Sequence, residues 1–369
     1  MIPDYAYTWI YTIFLTILCF VHRSTILHYP TLESFNNRKN SGYTNSIFLI
    51  CAIALFVCTI PMTDKENNDL YRYAMGYLYS YDLYDLRKDP FWKIIAVFCR
   101  DVCKLSVGQW LFIIHFITFA LRLFVCHQLF RKSVYTALLF VLADFSFWNG
   151  ATNIIRSALA MSFVVYGIVL FLNNAIKYKL IALALFVCAR YTHSSSILLT
   201  GCFLASYFFI KKISWSIAFY LLCIVLSLTL GHYFELFFAS LGFDDRMESY
   251  TTDVDYSSFS HAGFRWDFLM YSIVPIVLGW YIIYKQKVNN MIYSYLLNTY
   301  ILSNAFWVLV IRAGNSDRFA GVSWTLYPIV IAYPLCYIVL LKKQTHAVWY
   351  GLLGLLSFLW FLKIYGLTK

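Results

Sequence analysis

Apolar runs of near-membrane length recur from one end of the chain to the other, divided by short polar stretches. Their lengths predict spans near 5–21, 44–61, 106–130, 134–150, 154–172, 178–192, 194–210, 213–233, 267–284, 291–311, 320–341 and 346–364. A helix of roughly 20 apolar residues crosses a hydrocarbon core. The pattern therefore predicts an all-α integral membrane protein, a multi-pass bundle of about 12 transmembrane helices. Several runs are short for that thickness, so tilt or a thin local bilayer is expected. The runs over 134–172 and 178–210 have almost no loop inside them and predict tight antiparallel hairpins that need not cross fully.

The polar stretches fall into two kinds. In one kind Lys and Arg cluster: Arg23 with Arg38 and Lys39, Arg131 and Lys132, Lys177 and Lys179, Lys211 and Lys212, Lys285 and Lys287, Lys342 and Lys343. These loops share a side in the alternating count, and the positive-inside rule makes that side cytoplasmic, with both termini outside. The other kind mixes acidic, basic and aromatic residues. Two outer segments are long, 63–105 and 234–266, and loops of that length tend to be functional or disordered. The first holds Asp69-Leu70-Tyr71-Arg72-Tyr73 and then Phe91 to Lys104, a helix expected on or dipping into the outer surface. The second holds Asp244-Asp245-Arg246 and the polar run Ser249 to His261. With no repeat, low-complexity segment or soluble module, residues 1–369 read as one polytopic membrane domain. The start Met1-Ile2-Pro3-Asp4 lacks a basic n-region, so the first span reads as permanent.

Composition agrees with this class. The chain is 61% hydrophobic and only 13% charged, against roughly 25% charged in soluble domains. A net charge of +11 would point to nucleic acid in a soluble protein, but here it sits in inter-helix loops as topology signal, and no nucleic-acid motif accompanies it. Most of the ten cysteines lie in apolar segments, where the thiol acts as a small hydrophobe. Cys99 and Cys103, four apart on one helix face, suit neither an ordinary disulfide nor a full zinc site. No CxxC occurs, so no metal site and no cofactor is expected. Aromatics are 20% of residues, which makes any single one weak evidence of a site.

The candidate chemistry centres on 153–196. Two apolar helices return Arg156 and the Arg190/His193 pair to one side. A guanidinium near the centre of a membrane helix costs about 2.5–3.5 kcal/mol on insertion scales, so its presence asks for a reason. The arrangement recurs at Arg312 and Asp317-Arg318. Arginine offers a planar fork of donors that matches phosphate oxygens and stays charged. Arg72, Arg156, Arg190, Arg265, Arg312 and Arg318 are therefore expected to face one cavity and hold an anionic, lipid-linked substrate. Asp69, His193, Asp267 and Asp317 are candidates to act on a sugar hydroxyl as base or acid. Tyr71, Tyr73, Tyr77 and Trp266 could stack on sugar rings.

Each of these also has a purely structural reading. Arg265 and Asp267 fit a loop-to-helix junction with the acid at a helix N-terminus. Asp317-Arg318 fits a surface ion pair. His193 before three serines fits a capped helix start. Arg156 could snorkel to the interface, and Asp69 with Arg72 could simply be solvated. Asp144 reads equally as a packing residue or a cavity liner, and His115 as a packed or pore-lining residue.

Five stretches carry a resemblance. They are Asn153-Ile154-Ile155-Arg156-Ser157-Ala158-Leu159-Ala160, His193-Ser194, Gly263-Phe264-Arg265-Trp266-Asp267-Phe268, Asn315-Ser316-Asp317-Arg318-Phe319, and Asp69 with the spaced Tyr73 and Tyr77. In order and spacing, over roughly residues 45–340, the chain resembles the EpsG-like group of Wzy-type polysaccharide polymerases. Ser157 departs from the glutamine that often follows the arginine in that group. The resemblance implies a bacterial inner-membrane protein with a fold similar to the C-type, lipid-donor glycosyltransferases and a periplasmic active face. Its substrate would be an undecaprenyl-pyrophosphate-linked oligosaccharide, its product O-antigen, capsule or exopolysaccharide, and its partners membrane lipid and a chain-length regulator. Arg156, Arg190, Arg312 and Arg318 would clamp the pyrophosphate, with Arg265 as a weaker member. Asp69, His193, Asp267 and Asp317 would orient or deprotonate the acceptor hydroxyl.

Other classes compete. A flippase or transporter for a lipid-linked sugar would also need arginines, but should show mid-membrane charge, broken helices or internal repeats, whereas the charges here cluster toward one face. A lipid-linked glycan ligase shares the donor and differs in acceptor. A membrane-bound O-acyltransferase would want a histidine with an asparagine partner inside a span, a setting His115 lacks in the sequence.

Overall fold

The computed structural model describes residues 4–36, 69–84, 86–240, 264–312 and 316–365. Every element among them is helical: α1 (Asp4–His28), α2 (Leu32–Asn36), α3 (Asp69–Met75), α4 (Pro90–Val97), α5 (Val107–Phe130), α6 (Val134–Ala143), α7 (Phe145–Thr152), α8 (Ile155–Phe171), α9 (Ile176–Thr192), α10 (Ser196–Phe208), α11 (Ile213–Ser240), α12 (Trp266–Trp280), α13 (Met291–Leu309), α14 (Asp317–Trp324), α15 (Tyr327–Cys336) and α16 (Gln344–Ile364). Large apolar side chains such as Ile17, Phe116, Leu183 and Leu222 are exposed, as lipid-facing helices require.

Among the described residues, six stretches are long and apolar enough to cross a membrane: Ala6–His28, Val107–Ala143, Ile213–Gly231, Trp266–Lys285, Arg318–Cys336 and Gln344–Ile364. Several of the other expected runs are divided or short in the described residues. The run at 134–150 breaks at Asp144, whose backbone is extended between α6 and α7. The run at 320–341 is divided between α14 and α15. Helix α8, 17 residues long, and α10, 13 residues long, are apolar but short. The expected span at 44–61, Asp244-Asp245-Arg246 and the run Ser249 to His261 lie outside the described residues. The helix expected over Phe91 to Lys104 is present as α4 with a π-helical turn over Phe98–Val102.

The chain divides into two compact units, Met1–His193 with Ile331–Lys369, and Ser194–Val330. In the first, α8 and α9 form an antiparallel hairpin, α5 packs along α8, α16 packs on α1 and α6, and α4 lies against α9. Local rules set the ends of these helices. Ser106 and Gln109 exchange hydrogen bonds in a capping box that starts α5, satisfying donors with no partner inside the helix. Arg131, at φ 42°, ends it. The buried Gln344 amide serves the chain after α15: its nitrogen donates to the carbonyls of Leu335 and Ile338, and its oxygen accepts from the N–H of Leu340.

The interior of this unit is not purely apolar. Arg122, in the middle of α5, is buried and donates from Nε to Ser162 Oγ on α8 at 3.0 Å. Asp144 lies within electrostatic reach of it and caps α7 by accepting from the Ser146 N–H at 3.1 Å and from its hydroxyl. Asp144 is thus a capping residue whose charge lies near a buried guanidinium. His115 reads as a packed residue, hydrogen-bonded through Nε2 to the Ala151 carbonyl at 2.7 Å. The Tyr11 hydroxyl donates to the Leu142 carbonyl at 2.7 Å, and its ring stacks on Trp148.

In the second unit, α10 and α11 pack on α13, and α14 packs beside α13. Asn298 joins three elements, donating to the Ile210 carbonyl and accepting from Ser216. Trp324 Nε1 and the Tyr300 hydroxyl both donate to Ser272, to its Oγ and its carbonyl respectively. Such satisfied polar contacts hold helices together where the surrounding lipid is as apolar as the core.

Candidate functional site

The sharpest polar constellation lies at the end of the α8–α9 hairpin. Connectivity alone brings the first turn of α8 and the last turn of α9 together, and with them Arg156 and His193. A third member comes from the start of α4. Asp89 precedes Pro90, which opens that helix, and adopts a left-handed conformation with φ 49° and ψ 53°. Proline disfavours the right-handed helical region for the residue before it, and Asp is one of the few side chains that tolerate the left-handed one. Its carboxylate does not cap its own helix. It turns instead to Arg156, with Oδ2 2.5 Å from Nη1, and to His193, with Oδ1 3.8 Å from Nδ1.

The side chain of Asp89 is 3% exposed, against 18% for Arg156 and 17% for His193. The acid is the buried hub, and the two bases have the faces that reach outward. Burial by itself would push the Asp89 carboxyl up. The neighbouring His193 imidazole and the charges of Arg156 and Lys88 outweigh it and hold the carboxyl below its ordinary value, so the group is ionised near neutral pH.

An aromatic wall backs this cluster. The Arg156 guanidinium lies 6.0 Å from the centre of the Tyr73 ring. Tyr73 meets Trp92 edge-on, Trp92 meets Trp110 edge-on, and Tyr77 stacks on Trp110 at 4.6 Å. Tyr77 is buried, with its hydroxyl on the Leu105 carbonyl. It is therefore core and not a platform for a sugar ring, contrary to expectation. Tyr73 keeps a partly exposed face, as does Tyr71, and Trp266 is exposed.

Asp69 is buried and pairs with Arg72 one turn later, at 3.6 Å. Arg190 is exposed in the last turn of α9. In the second unit, Arg265 and Asp267 form a two-pronged pair, Nε to Oδ1 at 2.9 Å and Nη2 to Oδ2 at 2.6 Å, and the guanidinium covers Phe268 at 3.8 Å. Arg312 follows α13 and lies 5.5 Å from the centre of the Phe264 ring. Arg318 is half-buried in the first turn of α14, and the side chain of Asp317 lies outside the described residues. Among the described residues, no three His, Cys, Asp or Glu come together as metal ligands.

Sequence reasoning missed Asp89. Asp82, Asp85, Asp89 and Asp101 crowd the same outer segment, and residue type does not separate them. The available signal was the Asp-Pro pair, a helix-start signature. Arg122 was also missed, although one arginine inside an apolar run is a functional-site signal by default.

No curated protein matches the chain, and no solved structure does. One family model does, over residues 47–369, and its description is the EpsG family.

Proposed function

The chain belongs to the EpsG family, whose model spans most of its length, and on that premise we propose that it is a Wzy-type polysaccharide polymerase. It joins undecaprenyl-pyrophosphate-linked oligosaccharide units at the outer face of the bacterial inner membrane. The observation that carries this reading is the Asp89–Arg156–His193 cluster at the end of an apolar hairpin. It offers a permanent positive charge and an oriented imidazole beside the membrane, which are the groups that transfer from a lipid pyrophosphate requires.

In this reading the acceptor hydroxyl oxygen bonds to the anomeric carbon of the donor glycan as that carbon's bond to the pyrophosphate oxygen breaks. The hydroxyl proton passes to Nε2 of His193, the ring nitrogen opposite Asp89. The polyprenyl pyrophosphate leaves with the electron pair, and the Arg156 guanidinium stabilises the charge that develops on it. Asp89 is a positioning residue: it turns the imidazole, supports its positive form and fixes the arginine. Asp69 and Asp267 are engaged by Arg72 and Arg265, so neither is given the proton.

The test is polymerisation in nanodiscs, with the cognate undecaprenyl-pyrophosphate repeat unit and no nucleotide sugar. Wild type is expected to give a ladder of products, and folded His193→Gln and Arg156→Gln proteins are expected to give none. A full ladder from either variant would remove this assignment. A second reading, a transporter for the same lipid-linked glycan, is favoured by the helix break at Asp144 and the buried Arg122, features that transport sites share. Protein-dependent movement of the lipid across a vesicle membrane, with no ladder, would select it.

A further inference from the structure

The outer segment before α4 brings a further group, Tyr81, to the Asp89–Arg156–His193 cluster. Helix α3 runs into a π-helical turn over Gly76–Ser80, and Tyr81 closes that turn with its N–H on the Gly76 carbonyl at 2.7 Å. Its backbone is extended there, and its ring folds back over Gly76. A Cβ on Gly76 would overlap the ring and stand 2.7 Å from the hydroxyl oxygen. Arg100, in the second π-helical turn, donates from Nη1 to the Tyr77 carbonyl at 2.7 Å and ties the two turns together. Such turns often stand at functional sites; here they fix where the Tyr81 ring lies.

That place is beside the cluster. The ring meets Trp110 edge-on at 6.5 Å, and Trp110 meets Trp92, three residues after Asp89. Tyr73, three residues before Gly76, carries the ring that the Arg156 guanidinium approaches. The Tyr81 hydroxyl has the Trp92 indole, the Arg156 guanidinium and the Asp89 carboxylate within electrostatic reach. Burial, the largest influence, pushes the phenol up; Trp92 and Arg156 pull it down, Asp89 pushes it up, and the balance lies above the ordinary value. The hydroxyl therefore keeps its proton at working pH and is no base. The residue stays partly exposed, so a ligand can reach it. A protonated phenol offers a donor and an acceptor without charge, next to an aromatic face. A sugar's hydroxyls and the C–H face of its ring match those two surfaces.

We propose that Tyr81 is a sugar-binding residue of this site: its ring bounds the cluster, and its hydroxyl hydrogen-bonds an oxygen of the sugar that reacts there. That the sugar belongs to a polyprenyl-pyrophosphate-linked glycan rests on the polymerase reading. The place of Tyr81 at the cluster rests on the geometry. Because the phenol exchanges no proton with the substrate, its contact is made equally in the ground state and the transition state, and its loss falls on KM. Gly76 is the positioning residue, since only a missing side chain leaves room for the ring.

The experiment uses the full chain in nanodiscs and the undecaprenyl-pyrophosphate repeat unit extracted from the cells that make it. Tyr81→Phe keeps the ring and removes the hydroxyl; its KM for polymerisation is expected to rise about three- to tenfold, with kcat within about twofold of wild type. Gly76→Ala, which keeps Tyr81 and displaces its ring, should raise KM in the same way. Tyr84→Phe, on a fully exposed ring, should behave as wild type. A lowered thermal midpoint with an unchanged KM in Tyr81→Phe would make the tyrosine structural and overturn the proposal. A second readout needs no turnover. 3-Fluorotyrosine placed at position 81 gives a fluorine resonance that should shift when the lipid-linked repeat unit is added, and undecaprenyl pyrophosphate without sugar should not reproduce the shift. A resonance that the repeat unit leaves in place, or that the sugar-free carrier moves equally, would overturn the proposal. A sugar-dependent shift in a chain that makes no polymer keeps this site and removes the polymerase reading. Polymer made by Tyr81→Phe at wild-type KM does the reverse.

Discussion

Asp89 Oδ2 and Arg156 Nη1 lie 2.5 Å apart, one from the turn before a short helix and the other from the first turn of an apolar hairpin. Breaking a buried ion pair on one side leaves the other charge stranded, at about 3–5 kcal/mol, while replacing both partners by apolar groups is often close to neutral. Arg156→Met is expected to lower the thermal midpoint clearly, and Asp89→Leu with Arg156→Met is expected to recover most of the loss. A double variant no better than the worse single variant would show that the pair contributes little.

The depressed carboxyl of Asp89 fixes the sign of a pH effect. Its folded pKa lies below the unfolded one, so its contribution is full above the ordinary carboxylate range. It is lost as pH falls through the folded value. The gap in thermal midpoint between wild type and Asp89→Asn should be present at about pH 5 and shrink below about pH 4. A gap that widened on acidification would contradict the ion pair.

The hairpin that carries Arg156 and His193 depends on a close approach. A Cβ on Gly167 of α8 would stand 2.6 Å from Cε1 of Phe186 on α9. Overpacking of this kind costs about 1–3 kcal/mol, so Gly167→Ala should destabilise the protein, while Gly201→Ala, with nothing near its Cβ, should be neutral. Thermal unfolding in one detergent compares them directly. Equal midpoints would mean that the ring moves aside freely.

Arg122 supplies a test of the membrane interior. Its Nε donates to Ser162 Oγ at 3.0 Å, and Ser162→Ala withdraws that acceptor from a buried charge, at about 1–3 kcal/mol. A larger fall is expected for Arg122→Ala. In the transporter reading the same variants should abolish lipid movement before they abolish folding. Unchanged movement with lowered stability would leave Arg122 a packing residue.

Much of the architecture follows from chain parity. Once the runs at 154–172 and 178–192 read as a hairpin, Arg156 and His193 must share an end, and they do. The ends of the helices were harder to read, because a hydrophobic run does not reveal a break made by one buried capping carboxylate such as Asp144. The roles of the charges were harder still. Arg265 and Asp267 stood two residues apart in a motif and proved to be partners of each other. Asp89 stood among several similar aspartates, and only three-dimensional closure distinguishes it. A long-range ion pair leaves no local periodicity behind, so sequence reasoning finds the arginine and misses its acid.

The place of Asp89 in the chain bears on the order of assembly. It is synthesised well before Arg156 and His193, and until the α8–α9 hairpin has formed its carboxylate has neither partner and must stay hydrated. Helix α4 can therefore bury this carboxylate only after the hairpin is complete, so protection of this one turn from water reports the docking of α4 on the finished hairpin.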